Sequence, residues 1–351
     1  MSRAAVLRRV HLPAAPPQVR RAWPRFGPWV RTAAGAAILA VLAARLGTGA
    51  FVDAFAVVGA PEVLAALGIG LLTTVLSVWR WSLVAHRLGL PLPLPTAVAD
   101  YYRALFLNAV LPAGVLGDAH RAVEHGRKVG DVGRGVRAVV LERTGGQVVL
   151  IAAGLTMLAA EPSLAAAVVG DLLPGAGLAA AVLAGTAAVV ALAVWAVRGE
   201  RAVRWRRALA TSLTDVRRGL LARNAWPGVL ALSAGALAGH LTLFLVAVRA
   251  AGSAAPVWRL LPLMLLALLV MALPVNVGGW GPREAFSAAA FGAVGLGAQQ
   301  GLTAAVVYGL LTLVASLPGA AVLVLRRGTG GRAERDGGPA RAPDQASRTV
   351  R

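Results

Sequence analysis

Apolar residues run in blocks along this chain rather than at the i, i+3, i+4 spacing of an amphipathic helix, and blocks of this kind predict membrane spans. The first block covers 32–46. The second, Val63–His86, is long enough to cross a hydrocarbon core of about 30 Å at about 1.5 Å per residue. Further spans are predicted at Val136–Ala160, Gly177–Val197, Ala225–Val248 and Leu302–Leu325. Two apolar stretches are broken. Thr96–Leu111 is interrupted by Asp100, Arg103 and Asn108 and closes on Pro112. Leu260–Ala298 contains Pro262, Pro274 and the run Gly278-Gly279-Trp280-Gly281-Pro282.

Basic residues separate the blocks. The leader 1–31, the stretches 112–137 and 198–224, and the tail from Arg326 hold 7, 5, 8 and 7 of them. The connections 47–62 and 161–175 hold none, yet carry Asp53, Glu62, Glu161 and Asp171. The positive-inside rule then places both termini and the basic stretches in the cytoplasm. A full crossing at 96–111 would put the loop after it outside. The broken stretches therefore read as re-entrant hairpins, the first entering from the cytoplasm and the second from outside. The expected fold is all-α: about six full spans plus two re-entrant hairpins. Counting each half-helix as a short tilted span gives eight to ten crossings instead. The first block is short enough to raise a signal peptide, but the long leader and the many later spans favour an uncleaved anchor. Residues 1–30 are read as a cytoplasmic basic leader, 31–325 as the membrane domain and 326–351 as a disordered cytoplasmic tail.

The broken stretches resemble each other. Leu111, Pro112, Val115, Gly117 and Arg121 recur as Leu273, Pro274, Val277, Gly279 and Arg283, at one offset of 162. The same offset lays 63–86 on 225–248. The chain reads as two units, about 31–160 and 176–325, related by an inverted repeat. Broken helices in inverted repeats are a transporter pattern.

Composition agrees with a membrane location: 58% of residues are hydrophobic, 14% charged, and the mean hydropathy is +0.70. An ordinary soluble enzyme, a disordered chain and a coiled coil are excluded. The net charge of +20 does not indicate nucleic acid, because the basic residues sit between apolar blocks. With no cysteine, thiolate metal sites and disulfides are excluded. No GxxxxGK[ST], HExxH or GxSxG pattern is present, so neither an ATP motor nor a recognisable catalytic constellation is expected, and no cofactor or metal.

The candidate chemistry lies at the breaks. Pro112, Gly114, Gly117, Pro274, Gly278, Gly279 and Gly281 are expected to form the hairpin turns. Amides freed there, with Arg121 and Arg283 just beyond, suit an anion. The plainer alternative is that the arginines snorkel to an interface. Glu142-Arg143 lies about two turns into a predicted span, where an ionisable pair marks function or ties helices together. Asp118 can cap a helix or pair with Arg121. His240 reads as a helix-to-helix hydrogen bonder, and Trp79, Trp81, Tyr101 and Tyr102 as interfacial anchors.

The residues Asn108-x-x-Leu-Pro-x-Gly-x-x-Gly-Asp118-x-x-Arg121, then Leu141-Glu142-Arg143, then Leu273-Pro-x-x-x-Gly-Gly279-x-Gly-x-Arg283-Glu284, carry a resemblance. Over roughly 30–325 the chain resembles the flippase-like, lysylphosphatidylglycerol synthase transmembrane family, the membrane domain of multiple peptide resistance factors. The resemblance implies a bacterial inner-membrane protein that moves or handles lipid, with an anionic or aminoacylated phospholipid as partner. It carries over Asp118, Arg121, Glu142, Arg143, Arg283 and Glu284 as substrate-binding positions. The soluble aminoacyl-transferase domain of the full-length synthases is not in this chain, so synthase activity is not expected. A membrane-embedded lipid-modifying enzyme, or a non-transporting partner of a lipid or glycan pathway such as a lipid synthase, remain the alternative functions.

Overall fold

The computed structural model describes residues 49–111, 114–162, 211–220, 222–272 and 280–325. The leader, the predicted spans 32–46 and 177–197, most of the basic stretch 198–224, the tail, and the turn residues Pro112, Pro274, Gly278 and Gly279 lie outside them.

The described residues are helical. The first run comprises α1 (Gly49–Ala56), α2 (Ala60–Arg87), α3 (Leu94–Val110), α4 (Leu116–Lys128) and α5 (Val132–Ala160). The second comprises α6 (211–219), α7 (Trp226–Ala250), α8 (Val257–Met271), α9 (Pro282–Ala293) and α10 (Ala298–Ser316), which continues after a turn at Leu317 to Leu325. Local chemistry sets the ends. The Glu62 carboxylate accepts from the Gly59 amide at 2.9 Å and caps α2. Asp131 Oδ1 accepts from the Arg134 amide at 2.8 Å and caps α5. Pro93 and Pro256 precede α3 and α8, where they start a helix without losing a ladder bond.

Among the described residues four helices are long and apolar enough to cross a membrane: α2, α5, α7 and α10 with its extension. They correspond to four of the six predicted spans. α3 and α8 have 17 and 15 residues, and α4 and α9 have 13 and 12, so the stretch 260–298 holds a pair of short helices, whereas 96–111 is the single helix α3 and its partner α4 lies beyond it. The stretch 112–137, taken as a basic loop, is instead mostly helical. α4 turns Gly117, Arg121, Ala122, His125 and Gly126 inward and its other face outward.

The pairs of helices that touch match when the two runs are exchanged. α2–α3, α3–α4, α4–α5 and α2–α5 pack together, as do α7–α8, α8–α9, α9–α10 and α7–α10. Between runs, α2 lies along α7, and the contacts α2–α10 and α3–α10 answer α5–α7 and α5–α8. α1 packs on α10, while α6 is held to α5 by Arg137 Nε donating to Asp215 Oδ2 at 2.5 Å. Two apolar cores result. One gathers Phe244, Leu263, Met264, Phe291, Leu302 and Leu311, the other Val78, Trp81, Val84, Leu90, Tyr101 and Val139.

Small residues allow the close approaches. A Cβ at Gly117 would stand 2.1 Å from the Ala104 carbonyl oxygen, so α3 and α4 meet backbone to backbone. Gly117 is therefore a helix-packing residue in the first turn of α4 rather than part of the turn itself. A Cβ at Gly319 would likewise stand 2.1 Å from the Tyr102 carbonyl oxygen, which seats the end of the second run on α3.

Candidate functional site

Glu142 is fully buried on α5, about three turns from its start, and organises three helices around itself. Its Oε1 accepts from Arg80 Nε at 3.1 Å and from Arg80 Nη2 at 2.5 Å. Its Oε2 accepts from Arg121 Nη2 at 2.8 Å. The Tyr101 hydroxyl completes the ring of donors at 3.4 Å. Arg80 also donates from Nη1 to Ser233 Oγ at 3.0 Å, tying the network to α7. Two carboxylate oxygens facing two guanidinium groups is the arrangement that makes a buried charge tolerable.

Asp118 forms the second acceptor. Its Oδ1 accepts from Arg121 Nε at 2.9 Å, and its Oδ2 from Arg143 Nη2 at 2.5 Å and from Asn108 Nδ2 at 2.9 Å. Asn108 Oδ1 in turn accepts from the Gly117 amide at 2.8 Å, so one amide side chain bridges the arms of the hairpin. Asp118 thus accepts from three side chains at once, two of them guanidinium groups. Gly114, between the arms, takes a φ of +58° that glycine adopts without strain.

Asp118, Arg121, Glu142 and Arg143 thus meet in one network, with Arg80 and Tyr101 added. Three guanidinium groups, of Arg80, Arg121 and Arg143, face two carboxylates there, leaving one positive charge in excess. Arg121 does not snorkel. It is 1% exposed and lies between two rings, 4.6 Å from the Trp81 centre and 4.3 Å from that of Tyr101. Trp81, Tyr101 and Tyr102 are correspondingly buried rather than interfacial, whereas Trp79 is half exposed. Below this network, Arg103 and Lys128 pair with Asp100 and Glu124 and clamp α3 to α4. Burial raises the Glu124 carboxyl, but Lys128 and Arg103 bring its pKa below the ordinary value.

Arg283 and Glu284 form a separate, closed pair on α9. Arg283 donates from Nε to Glu284 Oε1 at 3.0 Å and reinforces this from Nη2. Glu284 Oε2 accepts from the Gly281 amide at 2.7 Å, capping α9 at a glycine whose φ is +107°. The guanidinium lies against the rings of Trp280 and Tyr308, at 5.4 and 5.0 Å. The residues are 1% and 0% exposed.

His240 links the two networks. Its Nδ1 is 3.2 Å from the Tyr308 hydroxyl, a contact between α7 and α10 as the lone histidine in an apolar span suggested. On its other side it lies within electrostatic reach of Arg143 and Arg80. It occupies the face of α7 that buries Ser233, Ala236 and Phe244, yet it retains exposed surface. Arg143 is 43% exposed, and Gln147, one turn further along α5, is exposed as well. By helical rise Arg143 and His240 stand about 17 and 21 Å from the starts of their helices, near the middle of each. Arg143, Gln147 and His240 thus leave polar surface exposed halfway along the packed helices α5 and α7.

Arg80, Tyr101, Ser233, Trp280 and Tyr308 were not legible as site residues. Arg80 carried the one usable signal: a charged residue deep inside an apolar block. Among the described residues no group of three His, Asp or Glu side chains is placed to hold a metal ion.

Residues 29–319 match the family model described as lysylphosphatidylglycerol synthase TM region. No curated protein and no solved structure matches the chain.

Proposed function

Because the chain belongs to the lysylphosphatidylglycerol synthase TM region family of membrane proteins, we propose that it is a flippase-like transporter of phospholipid or another lipid-linked substrate. The observation that carries this reading is the half-exposed Arg143 at mid-helix. A guanidinium at that depth is costly in hydrocarbon, and such residues mark polar pathways. Arg143 spends Nη2 on Asp118 and keeps its other nitrogens for a phosphate, which its planar fork suits. On this reading head groups pass through a polar recess at Arg143, His240 and Gln147 while acyl chains stay in the bilayer. Arg121 and Glu142 hold Arg143 and Asp118 in place. Arg283 and Glu284 support the opposite wall through Tyr308 and His240. An aminoacylated phosphatidylglycerol fits, its ammonium meeting Asp118 and its phosphate Arg143.

The matching contacts of the two runs, with the charge pattern of the loops, support an inverted repeat, both termini cytoplasmic, and α3–α4 and α8–α9 as hairpins entering from opposite faces. The deciding experiment reconstitutes the purified chain in liposomes carrying a labelled anionic phospholipid or lysylphosphatidylglycerol in one leaflet. Appearance of lipid in the other leaflet, with no change in its chemical composition, is the expected result. Lipid turnover without translocation identifies an enzyme, and neither activity points to a partner subunit.

A further inference from the structure

Three polar atoms without a hydrogen-bond partner border one ring. They are Trp81 Nε1, Arg121 Nη1 and His125 Nε2. Their residues are 0%, 1% and 4% exposed. The Arg121 guanidinium stands 4.6 Å from the centre of the Trp81 indole, and the His125 imidazole meets the indole edge-on at 5.6 Å. Arg121 and His125 are four residues apart on α4 and so share one face, turned toward α2. None of these atoms serves the network above, where Arg121 uses Nε and Nη2. Buried polar atoms are almost always paired, and three orphans around one ring require a common explanation.

The chemistry of the three atoms narrows the occupant. Indole Nε1–H and guanidinium Nη1–H donate and cannot accept. The occupant must therefore present lone pairs in at least two directions. A neutral His125 supplies a third donor when its proton sits on Nε2. The charged groups within reach of His125, Asp100 on α3 and Lys128 on α4, are of opposite sign. A water molecule has two lone pairs and cannot accept from all three donors at once, whereas a halide accepts from any number of directions.

We propose that Trp81, Arg121 and His125 enclose a small monovalent anion of halide size between α2, α3 and α4. This site is distinct from the lipid recess at Arg143 and does not depend on the transport reading. The bound anion fastens α4 to α2 by satisfying donors from both helices, so the first hairpin is more stable in halide.

The test uses the purified full chain in detergent at fixed ionic strength. Melting temperature is followed as sodium gluconate is replaced by sodium chloride or bromide. A saturable rise of several degrees is expected with both halides. Trp81→Phe keeps the ring over Arg121 but removes the donor. It should raise the half-saturating halide concentration about tenfold or more, the effect of losing one hydrogen bond to an ion. Crystals grown in bromide should show an anomalous peak within hydrogen-bonding distance of Arg121 Nη1 and Trp81 Nε1. Equal melting in gluconate and halide, an unchanged response in Trp81→Phe, or a water without bromide signal at this place would each overturn the assignment. If Trp81→Phe does not fold, the bromide map of the unaltered chain decides alone.

Discussion

Arg121 and Arg283 stand 162 residues apart at matching places in the two helical runs, both buried, yet they answer different carboxylates. Arg121 reaches across to Glu142 on α5, whereas Arg283 folds back onto Glu284 beside it. The position matching Glu142 in the second run is Ala304, and that matching Glu284 in the first is Ala122. Each run thus has a buried arginine at this place but sets its acid differently. The first network is joined to α2 and α7, while the second reaches Met271 on α8 and Tyr308 on α10.

Arg143 is the residue to alter first. Arg143→Ala should lower lipid movement in liposomes by an order of magnitude while leaving the melting temperature within a few degrees, because the side chain is 43% exposed and its pairing with Asp118 is shared by two other donors. Arg143→Lys should recover only part of the flux, since the charge returns without the fork. Unchanged flux in Arg143→Ala removes the recess from the transport path.

Glu142→Ala should be among the most destabilising substitutions in the chain. It strands Arg80 and Arg121 in the interior, a loss of about 3–5 kcal/mol for a broken buried pair. Chemical denaturation in detergent would register it, and Glu142→Gln should cost less because it still accepts hydrogen bonds. A Glu142→Ala protein as stable as the parent is incompatible with the network described.

For the second network the contrast is between single and double replacement. Arg283→Ala leaves Glu284 buried beside no cation, so both melting temperature and lipid movement should fall. Arg283→Met with Glu284→Gln removes the charges together and should regain most of the melting temperature. Transport per folded molecule should stay low. Recovery of both quantities would make the pair a structural clamp only.

Gly117→Ala should loosen the first hairpin by about 1–3 kcal/mol, as overpacked sites do, because its methyl group would meet the Ala104 carbonyl. Gly68→Ala is the matching control on α2: nothing lies within 4 Å of its added carbon. Thermal unfolding of both variants should separate them, and equal behaviour would argue against the backbone contact.

The long helices were legible because a span of twenty or so apolar residues has few other uses, and α2, α5, α7 and α10 fall where the blocks predicted. The short helices α3, α8 and α9 were legible from apolar stretches broken by proline and glycine. α4 was missed as a helix because its sequence is polar overall, and only its packing shows that Arg121 and His125 point inward. Of the site, Asp118, Arg121, Glu142 and Arg143 could be named from the motif, but which of them meet could not. Arg80 and Arg121 converge on Glu142 from helices 62 and 21 residues away in sequence, a relation no local pattern encodes. Trp81 and Tyr101 misled for a physical reason: an aromatic ring near a span end serves a membrane interface and a buried cation equally well.

The seating of Gly319 on the Tyr102 carbonyl bears on how the protein is made. The two residues are separated by 217 positions, and α2 also rests its Gly70 on Ala315 of the same final helix. During synthesis the first hairpin is inserted long before the helix that covers it leaves the ribosome. Until then its polar interior must be sheltered by the insertion machinery or by lipid, which makes the half-built chain the form most exposed to quality-control proteolysis. Truncations that remove only the end of α10 should therefore be felt first at α3, in the other helical run.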